Sequence, residues 1–205
     1  MKVLLINGSP HKDGCTNRAL CEVAKELNAN GIDTEITWIG TGAIHGCIAC
    51  GGCSKTGKCV FDDGVNEISE KMSECDGLVV GTPVYYASPN GSLLAMLDRL
   101  FGICPDLAHK PAAAVASARR GGTTASLDAV NKYFTIRQMP VVASTYWNMV
   151  HGSKPEDVEK DTEGLQTMRN IGKNMAWLIK CIKAGEENGI PTPTADNGER
   201  TNFIR

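Results

Sequence analysis

Ile6-Asn7-Gly8-Ser9-Pro10-His11-Lys12-Asp13-Gly14-Cys15-Thr16-Asn17 follows an apolar run, Val3 to Ile6. It precedes apolar residues at helical spacing, Leu20, Val23, Ala24 and Leu27. The stretch therefore sits where a first strand ends and a first helix begins. Such a junction aims backbone N–H groups and the positive end of a helix at one spot, and phosphate fits there. Gly8 and Gly14 let the backbone bend closely, while Ser9, Thr16 and Asn17 add short donors. An ordinary strand-to-helix turn capped by Thr16 would use the same residue types.

Two well-known phosphate loops do not fit. A Walker A loop needs Gly, four residues, then Gly-Lys and Ser or Thr. Here five residues separate Gly8 from Gly14, and Cys15 stands in the place of the lysine. A dinucleotide fingerprint needs G-x-G-x-x-G, which Gly8-Ser9-Pro10 breaks. A cysteine phosphatase would place an arginine where Cys21 stands. A monophosphate held by a Ser/Thr-lined turn remains.

Outward from this loop, the pattern predicts strands at Val3–Ile6, Thr34–Ile39, Gly77–Gly81, Ala112–Ala116 and Val141-Val142. Helices are predicted over Thr16–Asn28, Asp63–Cys75, Ser92–Phe101, Thr124–Thr135 and Glu156–Lys183. This alternation predicts an α/β domain, a five-stranded parallel sheet with helices on both faces. The domain is expected over residues 1–184, with a polar tail over 185–205. Ligands of such sheets bind beyond the carboxyl ends of the strands. The loops after strands one, three and four should gather at one edge.

With 205 residues, 42% of them hydrophobic, the chain supplies one sizeable core. A net charge of −2 without a basic block argues against nucleic acid and anionic membrane surfaces. No apolar run reaches the length of a membrane span. The N-terminus enters a strand directly, without signal-peptide features, so a cytoplasmic protein is expected. Nine cysteines, an odd number, argue against a disulfide framework in a reducing compartment. Metal binding, redox chemistry and buried thiols are left.

The second loop, Thr82-Pro83-Val84-Tyr85-Tyr86-Ala87-Ser88-Pro89-Asn90, is rigid enough to stack a flat ring; alternatively, Tyr85 and Tyr86 cover the core. The third, Ser117–Thr124, carries glycines with Arg119 and Arg120, which read equally as a surface pair. His45, His109 and His151 are scattered, and no acid–base pair stands out. No catalytic side chain is assigned.

Together with Leu97-Asp98-Arg99, these loops resemble the flavodoxin-like NADPH-dependent FMN reductase family over most of residues 1–180. The resemblance implies a flavodoxin-like three-layer sandwich with strand order 2-1-3-4-5. It places the FMN phosphate on the first loop, with Ser9, His11, Thr16 and Asn17 as binding residues. Pro83, Val84, Tyr85, Tyr86, Ala87 and Ser88 would line the isoalloxazine ring, flanked by Ala118, Gly121 and Gly122. Many relatives carry Arg in place of His11, and Asn or Ser in place of Cys15. The implied activity takes electrons from NAD(P)H and passes them to a quinone, a flavin or another small acceptor. The implied assembly is a homodimer or homotetramer. A non-enzymatic electron carrier between redox proteins, or a sensor using its cysteines as a switch, are the rival readings.

Cys47, Cys50, Cys53 and Cys59 follow the spacing C-x2-C-x2-C-x5-C. Thiolates so spaced can reach neighbouring corners of an iron–sulfur cube. Zinc prefers two separated pairs. The stretch resembles the compact cysteine motif of iron–sulfur flavoproteins, a branch of the same family, which implies a [4Fe–4S] cluster beside FMN. Buried thiols or a labile disulfide are the alternatives. Cys21, Cys75, Cys104 and Cys181 read as small core residues, and Met168 and Met175 as core or subunit packing. Phe203 and Ile204 are expected to dock the tail on the core or on a partner subunit.

Overall fold

Val3, Leu4, Leu5 and Ile6 are all fully buried, as a central parallel strand covered on both faces requires. They belong to β1 (Lys2–Asn7) in a computed structural model that describes every residue except 197, 200, 202, 204 and 205. Alternate side chains of β1 point to opposite faces. Leu4 and Ile6 join a core with α3 (Val65–Ser73), α4 (Gly91–Ile103) and α5 (Thr123–Ile136). Val3 and Leu5 join a second core with α1 (Cys15–Ala29) and α7 (Thr162–Glu187), where Met168 and Met175 are fully buried. The chain is thus the three-layer sandwich expected, with helices on both faces of the sheet.

The other strands are β2 (Asp33–Trp38), β3 (Gly77–Tyr85), β4 (Ser88–Pro89), β5 (Ala112–Ala118) and β6 (Met149–His151). The order is β2-β1-β3-β5-β6, and these five run parallel. In chain order this is the 2-1-3-4-5 arrangement, with one addition. β4 folds back antiparallel on the end of β3, so the sheet has six strands.

Four segments differ from their sequence reading. The fifth parallel strand is not Val141-Val142, whose one sheet contact is an isolated bridge between Val141 and Ala112. The strand is Met149–His151, where burial of Val150 alone seats a three-residue edge and leaves almost no pattern to read. Thr82–Asn90 is not all loop, because β3 runs through Tyr85 into a hairpin. The predicted helix over Glu156–Lys183 is broken into α6 (Pro155–Val158) and α7. Asp161 makes the break by capping α7, accepting from the Gly164 N–H at 2.9 Å. Finally, the Cys47–Cys59 stretch, to which the pattern assigned no element, holds the short helix α2 (Cys53–Thr56).

Cys75 and Cys104 are buried as expected, but Cys21 and Cys181 face outward on α1 and α7. α7 continues to Glu187, past the expected start of the tail. Phe203 is 93% exposed and does not dock on the core of its own chain; Ile204 lies outside the described residues.

Candidate functional site

The loop after β1 is closed from within. Buried Asn7 donates through Nδ2 to the Lys12 carbonyl at 2.9 Å, and its Oδ1 accepts from the Ser9 N–H at 3.1 Å. Ser9 Oγ accepts from the His11 N–H at 3.1 Å, and Trp38 Nε1 donates to the Ser9 carbonyl at 2.7 Å. Helix α1 then starts behind Gly14 with no side-chain cap and no acid in its first turn. Its leading N–H groups have no intrahelical partner, the geometry by which a helix start can hold an anion.

Thr16 is not the cap. Its hydroxyl is buried and pairs with Ser117 Oγ of β5 at 2.8 Å. Ser9 is buried as well, Asn17 is half-buried, and His11 is exposed. The four residues surround the start of α1, but only His11 and Asn17 keep side chains outside the loop's own bonding.

The three loops do gather at the carboxyl ends of β1, β3 and β5. The Gly8 N–H donates to the Gly81 carbonyl at 2.9 Å, and Asn90 Nδ2 donates to the Gly8 carbonyl at 2.7 Å. A Cβ on Gly8 would lie 2.8 Å from that Gly81 carbonyl, so a side chain would push the first two loops apart. Asn90 also caps α4 by accepting from the Ser92 N–H, and its own N–H donates to Thr82 Oγ1.

Tyr85 pairs with Ser88 across a two-residue turn. Both turn residues, Tyr86 (φ 50°) and Ala87 (φ 58°), adopt the left-handed region, which matches a type I′ hairpin. Outside glycine such backbone costs about 1–3 kcal/mol per residue and persists where neighbours enforce it. Gly122 (φ 94°) is one such neighbour: a Cβ there would lie 2.6 Å from the Ala87 Cα. Tyr86 is fully exposed and Tyr85 is 42% exposed, so neither covers the core. Pro83 and Val84 are half-buried, Ser88 is exposed, Ala118 is buried and Gly121 is exposed. The hairpin and the Ala118–Gly122 loop therefore form one wall with an open, aromatic rim.

Cys47, Cys50, Cys53 and Cys59 all line one cavity of about 250 Å³, together with Phe61 and Arg99. Cys47 and Cys50 are exposed, whereas Cys53 and Cys59 are half-buried. Among the described residues, no three His, Cys, Asp or Glu side chains converge on a position for a single metal ion. The four thiols on one cavity are the donor type that a cysteine-ligated cluster uses.

Sequence reasoning gave Arg99 no role of its own. It is 3% exposed on α4, and its guanidinium grips the Asp63 carboxylate at 2.6 and 2.7 Å. It also donates to the His45 carbonyl at 2.9 Å and to Cys59 Sγ at 3.1 Å. Its visible signal was a charged residue on the apolar stripe of a helix, within Leu97-Asp98-Arg99. The Arg99 hydrogen bonds hold the Asp63 carboxyl below its ordinary range against desolvation. Burial pushes the Cys59 thiol up, but hydrogen bonds from the Phe61 backbone and Arg99, with the Arg99 charge, bring it below its ordinary range. His45 stacks on Phe61 with ring centroids 4.3 Å apart and serves the loop's structure.

Residues 1–154 match the family of NADPH-dependent FMN reductases. This chain belongs to that family. Among curated relatives of this chain is an iron-sulfur flavoprotein of Methanocaldococcus jannaschii. It is 35% identical over 192 residues, covering 89% of this chain and all of that protein. An iron-sulfur flavoprotein of Methanosarcina thermophila is 31% identical over 195 residues, covering 91% of this chain and all of that protein. The fold is shared with an NADH:FMN oxidoreductase in its apo form (TM-score 0.62, 20% identity, 86% of this chain and 88% of that one). It is also shared with a flavodoxin from the domain Archaea (TM-score 0.59, 15% identity, 88% and 99%). Among the described residues of this chain, no helix is long and apolar enough to cross a membrane.

Proposed function

We propose that the chain binds FMN, works as an NAD(P)H-dependent oxidoreductase, and holds a [4Fe–4S] cluster on Cys47, Cys50, Cys53 and Cys59. The observation that carries the flavin reading is the uncapped start of α1, joined to the hairpin and to the Ala118–Gly122 loop at one sheet edge. The phosphate would sit on the first-turn N–H groups of Cys15, Thr16 and Asn17, with Ser9, His11 and the Asn17 side chain around it. The ring would lie against Pro83, Val84, Tyr85, Tyr86, Ala87 and Ser88, flanked by Ala118, Gly121 and Gly122.

Bound FMN supplies hydride acceptance and electron release in ones or twos. The protein then has to fix the ring and leave one face open; an acid–base pair is not required. The strained Tyr86-Ala87 turn, held by Gly122, provides such a fixed wall. The cluster reading is supported by four thiols around one cavity and by the names of the relatives. The electron acceptor is a quinone, a flavin or another small molecule, and the protein works as a homodimer or homotetramer in the cytoplasm. The flavin-binding domain runs from residue 1 through the end of α7 at Glu187, and the tail follows.

Exposure of Cys47 and Cys50 favours a second reading, a carrier that hands electrons to protein partners through the cysteine loop. Anaerobic purification with an absorption spectrum, an iron and sulfide count, and NADH and NADPH oxidation assays tests both. Flavin bands, about four irons per chain as a cubane requires, and fast turnover with a small acceptor are expected. Reduction by a partner protein alone would favour the carrier. Absence of flavin after adding FMN would overturn the reading.

A further inference from the structure

The four cysteines are not held alike. Cys47 and Cys50 stand exposed on the loop. Cys59 is gripped at three atoms: its N–H donates to Asn66 Oδ1 at 2.8 Å, its carbonyl accepts from Asn66 Nδ2 at 3.0 Å, and its Sγ accepts from Arg99 Nε at 3.1 Å. Asn66 lies in the first turn of α3 and Arg99 on α4, both elements of the packed core. Arg99 is itself fixed. Its side chain is 2% exposed, Asp63 holds two of its nitrogens, and its Cζ lies 5.1 Å from the Phe61 ring centroid.

We propose that Asn66 and Arg99 are positioning residues that pre-place Cys59 as the anchoring ligand of the cysteine centre, and that Arg99 makes the bound cluster easier to reduce. This rests on the reading that the four cysteines hold a [4Fe–4S] cluster. Two physical reasons connect Arg99 to the potential. A hydrogen bond to a ligand sulfur draws electron density from it, and hydrogen bonds, charge and exposure set the potential of such clusters. The guanidinium, itself buried, also places positive charge beside Cys59, where it is weakly screened. Reduction adds one electron to the cluster, and a fixed cation favours the more negative form. Asp63 partly balances that charge, so the directional N–H···S bond carries the difference between Arg99 and a lysine in its place.

The test uses the intact chain, purified anaerobically with its flavin and iron. Arg99→Lys keeps the charge and loses the fork. The double variant Arg99→Met/Asp63→Leu removes the ion pair together, so no charge is stranded in the core. Each is titrated with dithionite, with the cluster followed by electron paramagnetic resonance and the flavin by absorbance. The expected result is a cluster potential shifted to more negative values in both variants, further in the double one, with flavin content and flavin potential unchanged. A cluster potential equal to wild type in both, at equal iron content, would leave Arg99 a purely structural residue and overturn the assignment of its role. Asn66→Ala leaves the guanidinium in place and should speed iron loss to a chelator severalfold without moving the potential. An unchanged rate overturns the anchoring role of Asn66. Absence of iron from the wild-type protein instead defeats the cluster reading itself, and this inference with it.

Discussion

Thr16 on α1 and Ser117 on β5 share a buried hydroxyl–hydroxyl hydrogen bond of 2.8 Å across 101 residues of sequence. It ties the helix that follows the first loop to the strand that feeds the third. Removing one partner leaves the other buried and unsatisfied, which costs about 1–3 kcal/mol, whereas removing both can be nearly neutral. Thr16→Val and Ser117→Ala should each lower stability in urea denaturation. The double variant should be more stable than the sum of the two losses predicts. Because the Thr16 hydroxyl is spent internally, Thr16→Val is expected to weaken FMN binding less than a change at Asn17, measured by flavin fluorescence titration.

Gly122 is where the hairpin and the third loop meet. An alanine there faces both a φ of 94° and a Cβ 2.6 Å from the Ala87 backbone. Backbone cannot yield as the end of a flexible side chain can, so Gly122→Ala should cost about 1–3 kcal/mol. It should also weaken FMN binding at least tenfold by moving Tyr86 and Ala87. A thermal melt and a flavin titration read the two effects separately. Unchanged flavin affinity in a folded variant would contradict the wall assigned to this loop.

Glu22 on α1 is 6% exposed and joins two arginines, Arg18 at 2.9 Å and Arg169 of α7 at 2.7 Å. Burial pushes its carboxyl up, but hydrogen bonds from Arg169 and Arg18 and their charges outweigh it, so the carboxyl titrates below its ordinary range. A depressed folded-state pKa contributes stability that is present above the unfolded value, about 4.3, and lost as pH falls through the folded value. Glu22→Gln should therefore be less stable than wild type near neutrality. Its denaturation midpoint should fall less steeply from pH 6 to pH 3. Parallel profiles for the two proteins would contradict this.

Cys47 and Cys50 are exposed, so their thiols contribute little to the folded core. Cys47→Ser and Cys50→Ser should change the stability of the iron-free protein by no more than about 0.5 kcal/mol, as surface changes usually do. Both should lower the iron content while leaving flavin bound. Matching iron counts in variants and wild type would remove these thiols from the ligand set.

The buried pair Asp63–Arg99 predicts a different outcome from its surroundings. Breaking it by Asp63→Ala leaves a guanidinium uncompensated in the core, which costs about 3–5 kcal/mol. Chemical denaturation of the iron-free protein should register that loss.

Val3–Ile6, Gly77–Gly81 and Ala112–Ala116 were legible as buried strands because each is a short apolar run between turn signals, and their alternation with helices fixed the layer architecture. Met149–His151 was not legible, because a three-residue edge strand with one buried side chain has no period to detect. The split between α6 and α7 was hidden for a related reason: apolar spacing continues on both sides of Asp161, and only its cap shows where the helix restarts.

The linear order of residues determined the fold class, the strand order by resemblance, the three loops and the four-cysteine spacing. These depend on local periodicity and on residues close in sequence. The tertiary structure alone decided which groups are free and which are spent: Thr16 on Ser117, Ser9 within its own loop, Tyr86 outward, Arg99 on Asp63 and Cys59. Those assignments depend on partners up to 101 residues away. Burial and hydrogen-bond geometry exist only once the sheet has brought the ends of β1, β3 and β5 together.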